Sequence, residues 1–214
     1  MIITVVGGNG YVGSGLLLEL SQFADFQLFS ISRSGQPARS SMLKNVHWIK
    51  GDVTQSGDWE AIIAKSDWVI DCVGILLPNP IKQTTYWKNS VQPAKTLINL
   101  IHRQNLAADK TPNTHFLFVS ANYAPSLMKN YLKAKLEVEK DMAELLPKNS
   151  VAIYPGIITD QSKPLVKLFK AIAKVTTLSP YFKRLRFIPR TAVAQETVRI
   201  LTGEDSFLTS RIEG

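Results

Sequence analysis

Residues 2–20 read Ile2-Ile3-Thr4-Val5-Val6-Gly7-Gly8-Asn9-Gly10-Tyr11-Val12-Gly13-Ser14-Gly15-Leu16-Leu17-Leu18-Glu19-Leu20. Ile2 to Val6 is an almost wholly apolar, β-branched run, the pattern of a strand buried on both faces. Gly7, Gly10 and Gly13 follow at intervals of three, and residues 12–23 carry a helical pattern. A tight strand-to-helix turn needs Gly7, a phosphate can approach the backbone where Gly10 has no side chain, and Gly13 lets helix and strand pack closely. The free N–H groups at the helix start then face the phosphate charge. The stretch predicts a dinucleotide-binding βαβ unit, closed by a second apolar run from Phe26 to Ile31. Its expected cofactor contacts are Gly7, Asn9, Gly10, Tyr11, Val12 and Gly13.

Working outward, strand patterns recur at 46–49, 68–73, 115–119 and 151–154, and helical patterns lie at 58–65, 86–104 and about 127–146. Pro93 stands at an early turn or a kink of the second of these helices, and Pro147 stops the third. Strands alternating with helices predict an α/β fold: a doubly wound parallel sheet covered on both faces, the three-layer Rossmann arrangement, with a small C-terminal extension. Residues 1–156 form the expected NAD(P)-binding domain. Residues 157–214 form a smaller substrate- or partner-binding segment on the same domain, with an amphipathic helix at 164–178 and another at 191–201.

The end of the second strand reads Ser32-Arg33-Ser34. A site that prefers NAD usually places an acidic side chain there for the ribose hydroxyls. Arg33 instead suits a 2′-phosphate, with Ser32 or Ser34 donating a hydrogen bond, so NADP is the preferred cofactor and NAD the alternative. Asp52 and Val53 after the third strand are placed to edge the adenine, and Cys72-Val73-Gly74 after the fourth to pass beneath the cofactor. Cys72 reads as a small packing residue rather than a nucleophile.

Tyr131 and Lys135 stand four residues apart, on one face of a helix. A nearby ammonium favours phenolate, giving a proton donor and acceptor for carbonyl–alcohol interconversion beside a nicotinamide. Ser120, just after the fifth strand, is placed to bond a substrate oxygen.

With GGNGYVG at 7–13, SRS at 32–34, GDV at 51–53, CVG at 72–74, Asn89 in NSV, FVSA at 118–121, YLKAK at 131–135 and PG at 155–156, the chain resembles the short-chain dehydrogenase/reductase superfamily in its extended or atypical branch. Within it, the chain looks most like the group related to the complex I accessory subunit and the ubiquinone-associated dehydrogenase-like proteins. The resemblance covers about residues 1–156. It implies strand order 3-2-1-4-5-6, often extended by a seventh strand. It also implies Tyr131 as acid/base, Lys135 as a nicotinamide-ribose ligand that lowers the tyrosine pKa, and Ser120 positioning substrate. Asn89 would support a proton-relay water, and Pro155-Gly156 would pass near the nicotinamide. Where the superfamily often has its serine one or two positions later, this chain has Ala121 and Asn122.

Bulk properties bound the rest. The chain has 214 residues, 45% hydrophobic and 20% charged, room for one domain with a small appendage. One cysteine excludes an intrachain disulfide, and His47, His102 and His115 fall in separate elements, so no metal site is expected. The first residues lack the pattern of a signal peptide and no run of 18 apolar residues occurs, which predicts a cytoplasmic protein, at most peripheral to a membrane. The net charge of +8 concentrates between Gln161 and Arg190, where eight basic residues meet no acidic one. That segment suits cofactor phosphates, an anionic membrane surface or a protein partner; without aromatic-interleaved strands or a reading helix, nucleic acid is not expected.

Three functions remain open for a monomer or homodimer. The first is an NAD(P)-dependent oxidoreductase acting on a small or hydrophobic carbonyl or alcohol. The second is a non-catalytic NAD(P)-binding structural or sensor protein. The third is an NAD(P)-dependent epimerase or dehydratase, against which the length of residues 157–214 weighs, because a sugar-nucleotide lobe is usually larger.

Overall fold

The computed structural model describes residues 1–38, 43–107, 113–125, 128–160 and 187–212. The expected helix at 164–178 and nearly all of the basic segment at 161–190 lie outside these residues. Six strands, β1 (Ile2–Val6), β2 (Gln27–Ser32), β3 (Val46–Lys50), β4 (Trp68–Asp71), β5 (His115–Val119) and β6 (Ser150–Ile153), form one sheet in the order β3-β2-β1-β4-β5-β6. Every pairing in it is parallel, with Val6 opposite Ile31 on one side and Asp71 on the other. The doubly wound α/β fold is therefore as the alternation predicts.

Successive residues of each central strand enter two different cores. Val6, Val69, Phe116 and Phe118 face α3 (Gln92–Ala107) and α4 (Lys129–Leu145), meeting Leu97, Ile101 and Val138. Ile3, Val5, Ile70 and Leu117 face the opposite layer, where α1 (Tyr11–Leu20) brings Leu16, Leu17 and Leu20 and α5 (Arg190–Leu201) brings Val193, Ala194 and Val198. Each such fully buried apolar side chain contributes about 1.5–3 kcal/mol, which is why the central strands are apolar on both faces rather than at alternate positions, with the buried Thr4 and Asp71 as exceptions. A short helix, α2 (Trp59–Ile63), anchors Trp59 and Ile63 in the first core.

Pro93 falls in the first turn of α3, directly after a π-helical turn at Trp87–Val91. The wider π-helical turn directly before it is where the N–H that proline lacks can be accommodated. Two elements were not expected: β7 (Ile157–Thr159) and β8 (Phe187–Pro189), a separate parallel pair of three residues each. β7 does not extend the main sheet, which corrects the seventh-strand expectation. Strands this short carry no periodicity, and their partners lie about thirty residues apart in sequence. No helix among the described residues is long and apolar enough to cross a membrane.

Candidate active site

The glycine turn is built as its spacing predicts. Gly7 has a φ of 83°, and a Cβ there would stand 3.1 Å from the backbone of Cys72 and Val73. A Cβ at Gly13 would come within 2.5 Å of the Gly7 carbonyl oxygen, so the first turn of α1 rests directly on the loop. The Gly7 amide donates to the Ile31 carbonyl and the Gly10 amide to the Gly7 carbonyl, each at 2.8 Å, binding β1, β2 and the turn together. Gly8, which the three-residue spacing passed over, is equally constrained, because a Cβ there would overlap the Ser30 side chain.

Over this turn lies a cavity of about 410 Å3 at the carboxyl ends of β1, β2, β3 and β4. Gly7, Asn9, Gly10, Ser32, Arg33, Ser34, Asp52, Val53, Cys72, Val73 and Gly74 all line it, so the structure gathers these expected cofactor residues around one space. Tyr11 and Gly13 do not line it; Tyr11 is 38% exposed and lies under the Arg190 guanidinium at 5.3 Å. The Asn9 amide donates to Ser34 Oγ at 2.7 Å and to the Gly35 carbonyl at 2.6 Å, tying the glycine turn to the loop after β2. Ser32 gives its hydrogen to the Gly35 carbonyl at 3.1 Å, whereas Ser34 accepts from Asn9 and keeps its own hydrogen to give. Arg33 is exposed at the rim. Asp52 Oδ1 accepts from the Thr54 amide and hydroxyl, and these bonds, with Arg33 nearby, hold its carboxyl below the ordinary range. That oxygen is therefore already engaged, which limits Asp52 as an acceptor for adenine.

Asn89 also lines this larger cavity, on the wide π-helical turn, and its side-chain oxygen accepts from the Thr85 amide at 3.0 Å. It is not among the residues around Tyr131. Lys88, which the sequence reading passed over, lines the cavity beside it.

A second cavity, of about 130 Å3, is lined by Val12, Ser120, Tyr131, Lys135, Pro155 and Gly156 together with Leu76 and Ile158. Cys72, Val73, Gly74 and Ile75 line both spaces, so the two share one wall at the end of β4. The structure thus brings Tyr131, Lys135 and Ser120 to one small chamber next to the glycine cradle.

The phenol of Tyr131 is pushed up to about 12, by burial first and by Tyr86 second. The Lys135 ammonium lies 5.9 Å from the Tyr131 ring centre and donates to the Val119 carbonyl at 2.7 Å. Burial lowers the lysine's own pKa, with Asp71 opposing. Ser120, 3% exposed, gives its hydroxyl hydrogen to Glu139 and also lines the chamber. Glu139 also accepts from Arg211 at 2.6 Å and from the Tyr154 hydroxyl at 3.3 Å. Its position four residues after Lys135 was the available signal, since that spacing returns it to the same helix face. Cys72 has its thiol pushed up by burial and by Asp71, which suits packing rather than attack. The histidines are apart: His47 stacks on Phe29, His115 on Trp68, and His102 bonds the Leu145 carbonyl.

The family model described as the NAD dependent epimerase/dehydratase family matches residues 3–139. The chain belongs to that family. MIOREX complex component 2 of Saccharomyces cerevisiae is 22% identical over 205 residues, covering 75% of this chain and 74% of that protein. An uncharacterized chloroplastic protein of Arabidopsis thaliana, At1g32220, is 25% identical over 166 residues, and the chain spans 52% of its length. Among solved structures, UDP-glucuronic acid 4-epimerase from Bacillus cereus in complex with NAD superposes with a TM-score of 0.70 at 16% identity, covering 99% of this chain and 76% of that one. MoeE5 in complex with UDP-glucuronic acid and NAD gives 0.68 at 14%, covering 96% and 73%. At these identities the structural likeness speaks for the fold.

Proposed function

We propose that the chain binds NAD or NADP over the glycine turn and uses Tyr131 and Lys135 for reversible oxidation–reduction of a secondary alcohol, in the manner for which its family is named. The observation that carries this reading is the shared wall at Cys72–Ile75, which sets the cavity over the glycine turn against the chamber of Tyr131 and Lys135. Family membership moves the reading from a free-standing carbonyl reductase toward an epimerase- or dehydratase-type enzyme acting on a sugar nucleotide or a similar substrate, against the weight given to the short residues 157–214. Kinship with the complex I accessory subunit group rests on the motifs alone and is proposed on that basis.

The residues fit a dinucleotide. Gly7 and Gly13 leave no room for a side chain, and the buried Asn9 Oδ1 has no partner among the described residues. Gly7 and Gly10 would hold the pyrophosphate, Val53 and Asp52 the adenine side, and Lys135, Pro155 and Gly156 the nicotinamide side. When bound, the cofactor supplies the hydride acceptor or donor. Tyr131 holds or moves the proton of the substrate oxygen, and Lys135 orients the ribose. Arg33 and the free hydrogen of Ser34 favour a 2′-phosphate, so we read NADP as the preferred cofactor although the related structures hold NAD.

One observation favours the non-catalytic reading: Ser120 gives its hydroxyl hydrogen to Glu139. Titration of cofactor-stripped protein with NADH and NADPH by calorimetry, followed by incubation with UDP-glucose and UDP-glucuronic acid while absorbance at 340 nm and sugar isomers are followed, separates the cases. Isomer formation without net NADH supports the epimerase-type reading, and its loss in Tyr131→Phe with cofactor affinity kept assigns the acid/base. Failure to bind either nucleotide overturns the proposal.

A further inference from the structure

Between β4 and the π-helical turn, the chain sets large apolar side chains in solvent: Leu76 is 62% exposed, Leu77 64% and Ile81 94%. Trp87, also exposed, belongs to another face, since Lys95 lies 5.6 Å from its ring centre and pairs with Glu137 and Asp141 on α4. The exposed turn is built rather than loose. The Asn79 amide donates to Thr84 Oγ1 at 2.8 Å, the Lys82 amide to Asn79 Oδ1 at 3.0 Å, and the Thr85 amide to Asn89 Oδ1 at 3.0 Å. The Gln83 and Thr84 amides donate to the Pro80 and Asn79 carbonyls, each at 3.1 Å. Pro78 and Pro80 have no N–H to satisfy. The Tyr86 hydroxyl donates to the Leu76 carbonyl at 3.0 Å, and Gln83 takes a φ of 51°, which a side chain adopts only where its surroundings hold it. Ile81 and Lys82 therefore stand at the tip of a fixed turn, with Leu76 and Leu77 at its base. Its charge is one-sided: no Asp or Glu lies between Asp71 and Asp109, whereas Lys82 and Lys88 are both exposed.

We propose that this turn is a membrane-docking element, which seats Leu76, Leu77 and Ile81 in the headgroup region of an anionic bilayer with Lys82 and Lys88 among the phosphates. Apolar tips flanked by cations match a surface that is negative above and apolar beneath. Backbone donors closed within the turn suit a medium that offers few partners of its own. Other occupants meet like charge. Residues 161–190 of the chain hold eight basic residues and no acidic one, and a second copy brings the same lysines and a net charge of +8. Leu76 also lines the chamber of Tyr131, so docking sets the mouth of that chamber at the membrane surface. The inference is independent of the reaction proposed above.

The test is sedimentation of the full chain with vesicles of phosphatidylcholine containing phosphatidylglycerol, and with vesicles of phosphatidylcholine alone. The expected result is binding to the anionic vesicles, weakened about tenfold or more by the double change Leu77→Asp and Ile81→Asp and about fivefold by Lys82→Gln. The depth and orientation are read by tryptophan quenching with brominated lipid: Leu77→Trp should be quenched, and Leu18→Trp on the exposed side of α1 should not, each measured against wild type. Absence of wild-type binding to the anionic vesicles overturns the proposal. So does binding that the double change leaves intact while Lys167→Glu with Lys170→Glu abolishes it, which places the contact on the basic segment. A dimer in solution that the double change dissolves also overturns it, because a second copy then covers the turn. Should the double variant fail to fold, the tryptophan pair still decides, and equal quenching at 77 and 18 overturns the proposal.

Discussion

Ser120, at the carboxyl end of β5, donates its hydroxyl hydrogen to Glu139, one helical turn beyond Lys135. Because Arg211 and Tyr154 donate to the same carboxylate, three separate parts of the chain converge there. Glu139→Ala leaves the Arg211 charge and two hydroxyls without their acceptor and should destabilise the fold by about 2 kcal/mol, while Ser120→Ala should cost about 1 kcal/mol. Urea unfolding midpoints at neutral pH measure both, and equal losses would mean that the carboxylate is not the hub.

Asp71 gives stability a pH dependence of unusual sign. Burial raises its carboxyl to about 7, above the usual 3.8. The folded chain then binds the proton more tightly than the unfolded chain between those values, so this contribution is complete below about pH 4 and is lost as pH rises through about 7. Relative to Asp71→Asn, the wild-type protein should lose on the order of 2–4 kcal/mol between pH 4 and pH 8. Unfolding free energies of the two proteins across that range give the difference directly, and parallel curves would refute it.

At the glycine turn, Gly13→Ala drives a methyl group to 2.5 Å from the Gly7 carbonyl oxygen and 2.8 Å from Gly8 Cα. Both are backbone atoms of the cradle, so relief must open the turn. The variant should lose about 2 kcal/mol of stability and about tenfold in NADH affinity, by thermal unfolding and calorimetry respectively.

Arg33 reaches the rim of the larger cavity without a structural task among the contacts described. Arg33→Ala should therefore leave the melting temperature unchanged, weaken NADPH about tenfold and leave NADH as it was. Equal weakening of both nucleotides would place Arg33 away from the 2′ position.

The sheet and its order were legible because burial on both faces leaves an unbroken apolar run, and Gly7, Gly10 and Gly13 punctuate the only turn that needs all three. Most residues lining the larger cavity were legible for the same reason, since they follow strand ends, whereas Lys88 lies on the π-helical turn and no strand end points to it. Partnerships across the chain were not. Lys135 and Tyr131 are correctly one helical turn apart, but nothing local reveals that the ammonium donates to the Val119 carbonyl. Glu139 and Arg211 are 72 residues apart, and no periodicity connects them. The strands β7 and β8 are too short to carry a pattern at all.

Arg190 carries a consequence for how the molecule is made. Its side chain lies over Gly15, reaches the Tyr11 carbonyl at 3.3 Å and Ser14 at 3.4 Å, and pairs with Asp160 at 3.7 Å, while the α5 that it opens covers the leucines of α1. The helix after the glycine turn is synthesised well before residues 190–201, whose Val193, Ala194 and Val198 share a core with its leucines. During translation Leu16, Leu17 and Leu20 can pack on β1 and β2 but lack the cover of α5, so an interrupted chain would present part of this apolar face to chaperones.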